Sequence, residues 1–291
     1  MGTFLDTSDP FSCNVNYCRH TAPSGKGIVI DCKPIYKTDI YDIAIDLNFM
    51  KKEILNLVIT LACLSVSTWV IADPTPFKAV YKADYKGMPV SAVGIRELKL
   101  MEDNKYMLSS SAKSFLATVA EHSIFRVEEQ QILPIEYRYK RSGIGKNRKV
   151  TLNFNWQSQT VEDKADAWEM DVSDGVLDKL LYQFKMRQDL QDAVEMEQPW
   201  PEMSYQIADD ARLKTYTFKV MGEEEIDTPI GKIRTVKTMR IRKKNDRTTT
   251  FWLAPDYEFM LIRLMQVEKN GKGFELLLKE AEFNGKQVKG Y

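Results

Sequence analysis

The sequence predicts a mainly β protein: a large curled antiparallel sheet, as a barrel, half-barrel or sandwich, carrying one amphipathic helix. Three observations predict it. Between Phe77 and Phe283, apolar and polar residues alternate in run after run, so each run turns one face to a core and the other to water. Turn residues separate the runs at short intervals. One stretch alone, Ser173–Leu190, changes to a helical rhythm.

The first run is the cleanest. In Phe77–Tyr85, the residues Phe77, Ala79, Tyr81, Ala83 and Tyr85 share one face, and Lys78, Lys82 and Asp84 share the other. Gly87-Met-Pro89 then turns the chain into Ala92–Met101. Glu102–Lys105 has hairpin-tip chemistry, and Tyr106–Ala112 runs back. Lys113–Ala120 loses the alternation and reads as a short helix or a wide connection. Ile124–Glu128, Leu133–Tyr139, Val150–Trp156 and Trp168–Val172 follow as strands.

In Ser173–Leu190, Leu177, Leu180, Leu181 and Phe184 fall at helical spacing, with Ser173 or Asp174 available as N-cap. Such a helix is expected over the sheet or over an open barrel end. Glu197–Pro201 stops it. Strands resume at Leu213–Val220, Ile233–Arg242, Thr248–Leu253, Met260–Val267 and Phe274–Phe283. Thr228-Pro-Ile-Gly231 and Asn270-Gly271 supply turns. A meander of this length is expected to curl or to split into two layers.

Met50–Ala72 reads as an export signal. Lys51 and Lys52 give a positive start, Ile54–Leu64 an apolar run, and Val70-Ile-Ala72 a small-residue cleavage site before Asp73. An uncleaved anchor and lipidation at Cys63 are the competing readings. Residues 1–49 form a leader whose composition suits disorder, unless translation begins at Met50. The expected organisation is therefore leader 1–49, signal 50–72 and a single exported domain 73–291, working in the periplasm.

Composition narrows the function. Beyond the signal there is no cysteine, hence no disulfide framework, thiol catalyst or thiolate metal site. In the leader, Cys13, Cys18, His20 and Cys32 lack the paired knuckles of a zinc site. The chain balances 41 basic against 41 acidic residues, so no global field favours nucleic acid. Past the signal no apolar run is long enough to span a membrane, so no integral membrane protein is expected after cleavage.

No catalytic or cofactor-binding constellation stands out. His122 is the one histidine of residues 73–291. Its neighbours Glu121 and Ser123 lie on the opposite face of a strand, where no proton relay can form. Glu223-Glu-Glu225 lacks the alternating ligands and loop glycine of a calcium site. Phosphate-binding and dinucleotide fingerprints are missing from the sequence. No cofactor and no metal is expected.

Two features remain. The inward faces are rich in aromatics, and Tyr81, Tyr85, Tyr137, Tyr139, Phe154, Trp156, Tyr216, Phe218 and Trp252 are candidate lining residues of an apolar cavity. Ordinary core packing is the competing reading of each. Two basic clusters bracket hairpin loops: Arg138, Lys140, Arg141, Lys146, Arg148 and Lys149, then Arg240, Arg242, Lys243, Lys244 and Arg247. Of these, Arg138, Arg141, Arg148, Lys243 and Lys244 are the candidate surface patch for lipid phosphates or an acidic partner. Edge protection is the alternative.

Short motifs carry a family resemblance over roughly Phe77–Phe283. They are Tyr81 with Tyr85-Lys-Gly87, Tyr106 with Ser109-Ser-Ser-Ala112, Ser123-Ile-Phe125, Leu133-Pro-Ile-Glu-Tyr137, Thr228-Pro-Ile-Gly231 and Phe251-Trp-Leu-Ala-Pro255. Together they resemble the exported bacterial family known as domain of unknown function 3108. The resemblance implies a periplasmic, mainly antiparallel β domain of Gram-negative bacteria, with no established activity to carry over. The expected function is a non-enzymatic protein holding an apolar, lipid-like ligand in a curled-sheet cavity. An envelope scaffold acting through its surface is the alternative, with an envelope protein as partner.

Overall fold

Period-two sequence becomes strand almost throughout. A computed structural model describes residues 73–291 apart from 87–90, 146, 210 and 243–246, all within one unit, Ile71–Tyr291. The expected leader 1–49, the expected export signal Met50–Ala72, Lys243 and Lys244 lie outside the described residues.

The first eight strands are β1 (Phe77–Lys86), β2 (Ser91–Leu100), β3 (Tyr106–Lys113), β4 (Ala117–Glu128), β5 (Gln131–Gly143), β6 (Arg148–Asn155), β7 (Thr160–Asp163) and β8 (Trp168–Asp171). A helix, α1 (Leu181–Glu195), precedes β9 (Met203–Ala208), β10 (Leu213–Thr228), β11 (Gly231–Ile241), β12 (Arg247–Ala254), β13 (Met260–Glu268), β14 (Gly273–Phe283) and the short β15 (Lys286–Gln287). All strands join one antiparallel sheet in the order β8-β7-β6-β5-β4-β3-β2-β1-β14-β13-β12-β11-β10-β9, with β15 beside β14. The first and last long strands thus pair at the middle, Phe77 opposite Phe283.

The sheet curls around α1 without closing. Phe184 of α1 packs on Phe125 of β4, Tyr182 on Phe218 of β10 and Phe251 of β12, and Arg187 on Phe77 of β1. Strands this far apart in the sheet reach one helix only if the sheet wraps it. Between the free edges β8 and β9 runs the segment 172–180. Val172 N–H donates to Gln159 O on one side, and Leu177 exchanges backbone hydrogen bonds with Gln206 and Ala208 on the other. A half-open barrel results, and the sandwich alternative falls away.

The structure departs from the sequence pattern in two stretches. Residues 173–180 do not open the helix. Gly175 sits at φ +81°, and Leu177 pairs in parallel with Ile207 instead. The cap is Asp178, whose Oδ1 accepts from the N–H groups of Leu180 and Leu181. The stretch Lys113–Ala120 is neither helix nor wide connection. The Ser114 hydroxyl accepts from Leu116 and Ala117 N–H in a tight turn, and β4 starts at Ala117 as one long strand.

Candidate functional site

Register fixes which side chains face inward. Across β1, β2, β3, β4 and β5 the row Tyr81, Gly94, Ala112, Val119, Arg141 runs in step. Across β14, β13, β12 and β11 the row Phe274, Gln266, Thr249 continues toward Arg240 and Arg242. Because the strands alternate in direction, the β1–β2, β3–β4, β5–β6, β9–β10, β11–β12 and β13–β14 connections share one end of the sheet. That end is the mouth; the other is the base.

The interior differs between the two ends. Toward the base, α1 fills it: Leu181, Tyr182, Phe184, Met186, Arg187 and Leu190 are buried against Leu98, Leu108, Phe125, Phe251 and Leu261. The space left between helix and wall holds about 10 Å³, no more than one water. Arg187 is part of this plug. Its Nε donates to Glu258 O at 2.8 Å, its guanidinium lies on Phe77 and Phe184, and burial lowers its pKa to about 10.

Toward the mouth the inner face stays open. Ala92, Ser110, Ala112, Val119, Glu121, Tyr139, Phe274, Leu276, Gln266, Arg240 and Arg242 are only half-buried, and Tyr85 is 40% exposed. Arg141 and Arg148, opposite each other on β5 and β6, are exposed at the lip. The result is a cup above the N-terminus of α1. One wall is apolar (Tyr85, Phe274, Leu276, Val119) and the other is arginine-rich. Tyr182 forms the floor, packed on Tyr216 and Phe218.

Buried acids line the same floor. Asp178 Oδ1 also accepts from Ser123 Oγ at 2.9 Å, while its Oδ2 is buried without a partner. Burial pushes this carboxyl up to about 7, against the lowering effect of its backbone and Ser123 hydrogen bonds. Glu121 accepts from Tyr137 Oη at 2.9 Å and is also raised by burial, with Arg96 and Lys179 pulling the other way.

The nine candidate aromatics therefore divide. Tyr85 and Tyr139 border the cup, Tyr139 lying under Lys179, and Tyr216 stands beneath Arg240. Tyr81, Tyr137 and Phe218 are packed into its floor and walls. Tyr81 Oη donates to Leu261 O at 2.7 Å, and burial raises its pKa to about 12. Phe154 and Trp156 stack on each other toward the base, where Trp156 Nε1 donates to Pro134 O. Trp252 pairs in register with Lys237 and Arg263 on the outer face. It is sandwiched between those two cations, and its Nε1 donates to Glu224. The inward aromatic of that pair is its neighbour Phe251, which is absent from the nine candidates.

The basic patch divides as well. Arg138 lies on the outer face and donates to Glu136 at 2.6 Å, whereas Arg141 and Arg148 face the cup. The β5–β6 and β11–β12 connections do share the mouth end. His122 lies outside, 3.6 Å from Glu136, with Glu121 inside. Neither a helix long and apolar enough to cross a membrane nor a cluster of metal-ligating side chains occurs among the described residues.

No curated protein matches the chain significantly. Among solved structures, a β-barrel-like protein of domain of unknown function DUF1849 from Brucella abortus is 10% identical, covering 72% of this chain and 98% of its own, with a TM-score of 0.50. That likeness shows the fold alone. A protein described as a lipoprotein from Parabacteroides distasonis is 13% identical over 72% of this chain and 96% of its own, with a TM-score of 0.27. The family model described as "Protein of unknown function (DUF3108)" matches residues 80–279. The chain belongs to that family.

Proposed function

We propose that this chain is a non-enzymatic binding protein of the Gram-negative envelope, exported to the periplasm, whose cup holds an apolar, lipid-like ligand. The observation that carries the reading is the divided interior. The helix fills the base half of the curled sheet and leaves Tyr85, Val119, Phe274 and Leu276 on the open half only partly covered. Covering such surface is worth about 25 cal/mol per Å². Phe115 and Ile144, on mouth-end connections, are 85% and 68% exposed, which supports an apolar entry route. The signal sequence Met50–Ala72 supports the compartment.

A second reading, an envelope scaffold, draws on the arginines Arg138, Arg141 and Arg148 at the same end. The aromatic, concave side of that end favours a ligand over a flat protein contact.

The neutral, environment-sensitive probe N-phenylnaphthylamine tests the proposal. The wild-type protein is expected to bind it saturably at one site, with enhanced fluorescence. Val119→Trp fills the cup from β4 and is expected to weaken binding about tenfold or more, in the range of one lost aromatic contact surface, with the melting temperature nearly unchanged. Absence of saturable binding by the wild type would contradict it.

A further inference from the structure

The cations inside the cup are not equally satisfied. On the helix side they are balanced: Lys179 meets Asp209 at 2.8 Å, Lys214 meets Asp209 at 2.6 Å, and Arg96 donates to Gln183 and faces Glu121. Across the cup, Arg240 and Arg242 follow Val236 and Thr238 on the inward side of β11. Neither has a carboxylate partner among the described residues. Arg240 lies flat on the Tyr216 ring at 3.2 Å, and its Nε is buried with no acceptor. Arg242 donates only to Arg247 O and Thr249 Oγ1. Burial and the charges of Arg240 and Arg247 lower its pKa, the mark of a cation set among cations. Arg247 itself is taken by Glu268 at 2.6 Å.

Two half-buried guanidinium groups held side by side, with no counter-charge among the described residues, are electrostatically costly. On an ordinary inward strand face these alternate positions would be apolar. The rigid forks suit an oxyanion, which accepts two parallel hydrogen bonds from one guanidinium. The opposite wall of the same cup is apolar.

We infer that Arg240 and Arg242 form a head-group site selecting an amphiphile with an anionic oxygen head, a phosphate or carboxylate, whose tail lies along Tyr85, Phe274, Leu276 and Val119. The inference rests on the ligand-binding reading above and names its ligand class. Thr249, already in contact with Arg242, adds a hydroxyl beside the head.

The test is calorimetric titration of the full chain with dodecyl phosphate, with monolauroylglycerol as the neutral analogue of equal tail, and with inorganic phosphate. The wild type is expected to bind dodecyl phosphate about tenfold or more tighter than the neutral amphiphile, as charge-assisted hydrogen bonds to a head group require. Added salt should narrow the gap. R240Q/R242Q is expected to erase that preference while still binding monolauroylglycerol, and R240K/R242K to restore part of it. Equal affinity of the wild type for the two amphiphiles would overturn the head-group site and leave the cup standing. Binding of neither would overturn both. Inorganic phosphate binding as tightly as dodecyl phosphate would show a free-anion site and overturn the amphiphile.

Discussion

Replacing Phe218 with alanine is expected to lower the unfolding free energy by roughly 3–5 kcal/mol, the range for deleting a fully buried aromatic. Phe218 is completely buried, stacks on Tyr182 at 5.4 Å, and touches Phe251 and Tyr205 at 5.8 and 6.0 Å. It is thus the joint where α1, β9, β10 and β12 meet. Its removal leaves a cavity enclosed by the Tyr182, Tyr205 and Phe251 rings. Chemical denaturation reads the effect directly. A loss below about 1 kcal/mol, the level of an ordinary surface change, would mean that the helix does not plug the sheet as described.

Asp178 gives the second large effect, through pH. Its carboxyl is held near 7 in the folded chain against an ordinary value of 3.8, because burial disfavours the charged form. The folded state therefore binds this proton more tightly than the unfolded state. That contribution is complete below about pH 4 and is lost as pH rises through 7. The shift of about three units corresponds to as much as roughly 4 kcal/mol. Glu121, raised for the same reason, acts in the same direction. Asp178→Asn keeps the acceptor for Leu180, Leu181 and Ser123 but carries no charge. Its melting temperature is expected to fall less than the wild type's between pH 5 and pH 8. Equal falls in the two proteins would rule out Asp178 as the titrating group.

Strands were legible where their two faces differ most. Phe77–Tyr85 alternates apolar with charged because β1 has packed core on one side and water on the other. β4 runs well beyond its alternating stretch because its inward positions Val119, Glu121 and Ser123 face the open cup and the Asp178 carboxyl. They are therefore mixed in polarity, and the period disappears. The turn before β5 was equally silent: Glu129 and Gln130 take positive φ without the usual glycine or asparagine. At the helix start, Leu177 and Leu180 lie at helical spacing, yet Leu177 is buried from a bridge to Ile207 and Leu180 from the turn that leads into the helix. Apolar spacing alone does not tell these apart.

The site itself was half legible. The inward aromatics could be named from period, but not which of them meet open space, since that depends on how far α1 reaches along the sheet. Adjacent Phe251 and Trp252 are both buried, the first by the core and the second by Lys237 and Arg263 stacked on the outer face. Period two assigns them to opposite faces without saying which is inside. Arg240 and Arg242 did leave a signal, two cations in phase with Val236 on an inward face. They read as a hairpin-tip charge cluster because the strand continues to Ile241 and the tip lies beyond it.

The most direct measurement is the mass of the protein recovered from cells, taken under native and then denaturing conditions. A native mass exceeding the denatured chain by a few hundred daltons is expected, with the released species an acidic amphiphile. A protein that carries nothing when isolated and takes up no amphiphile in titration would contradict the cup as a binding site.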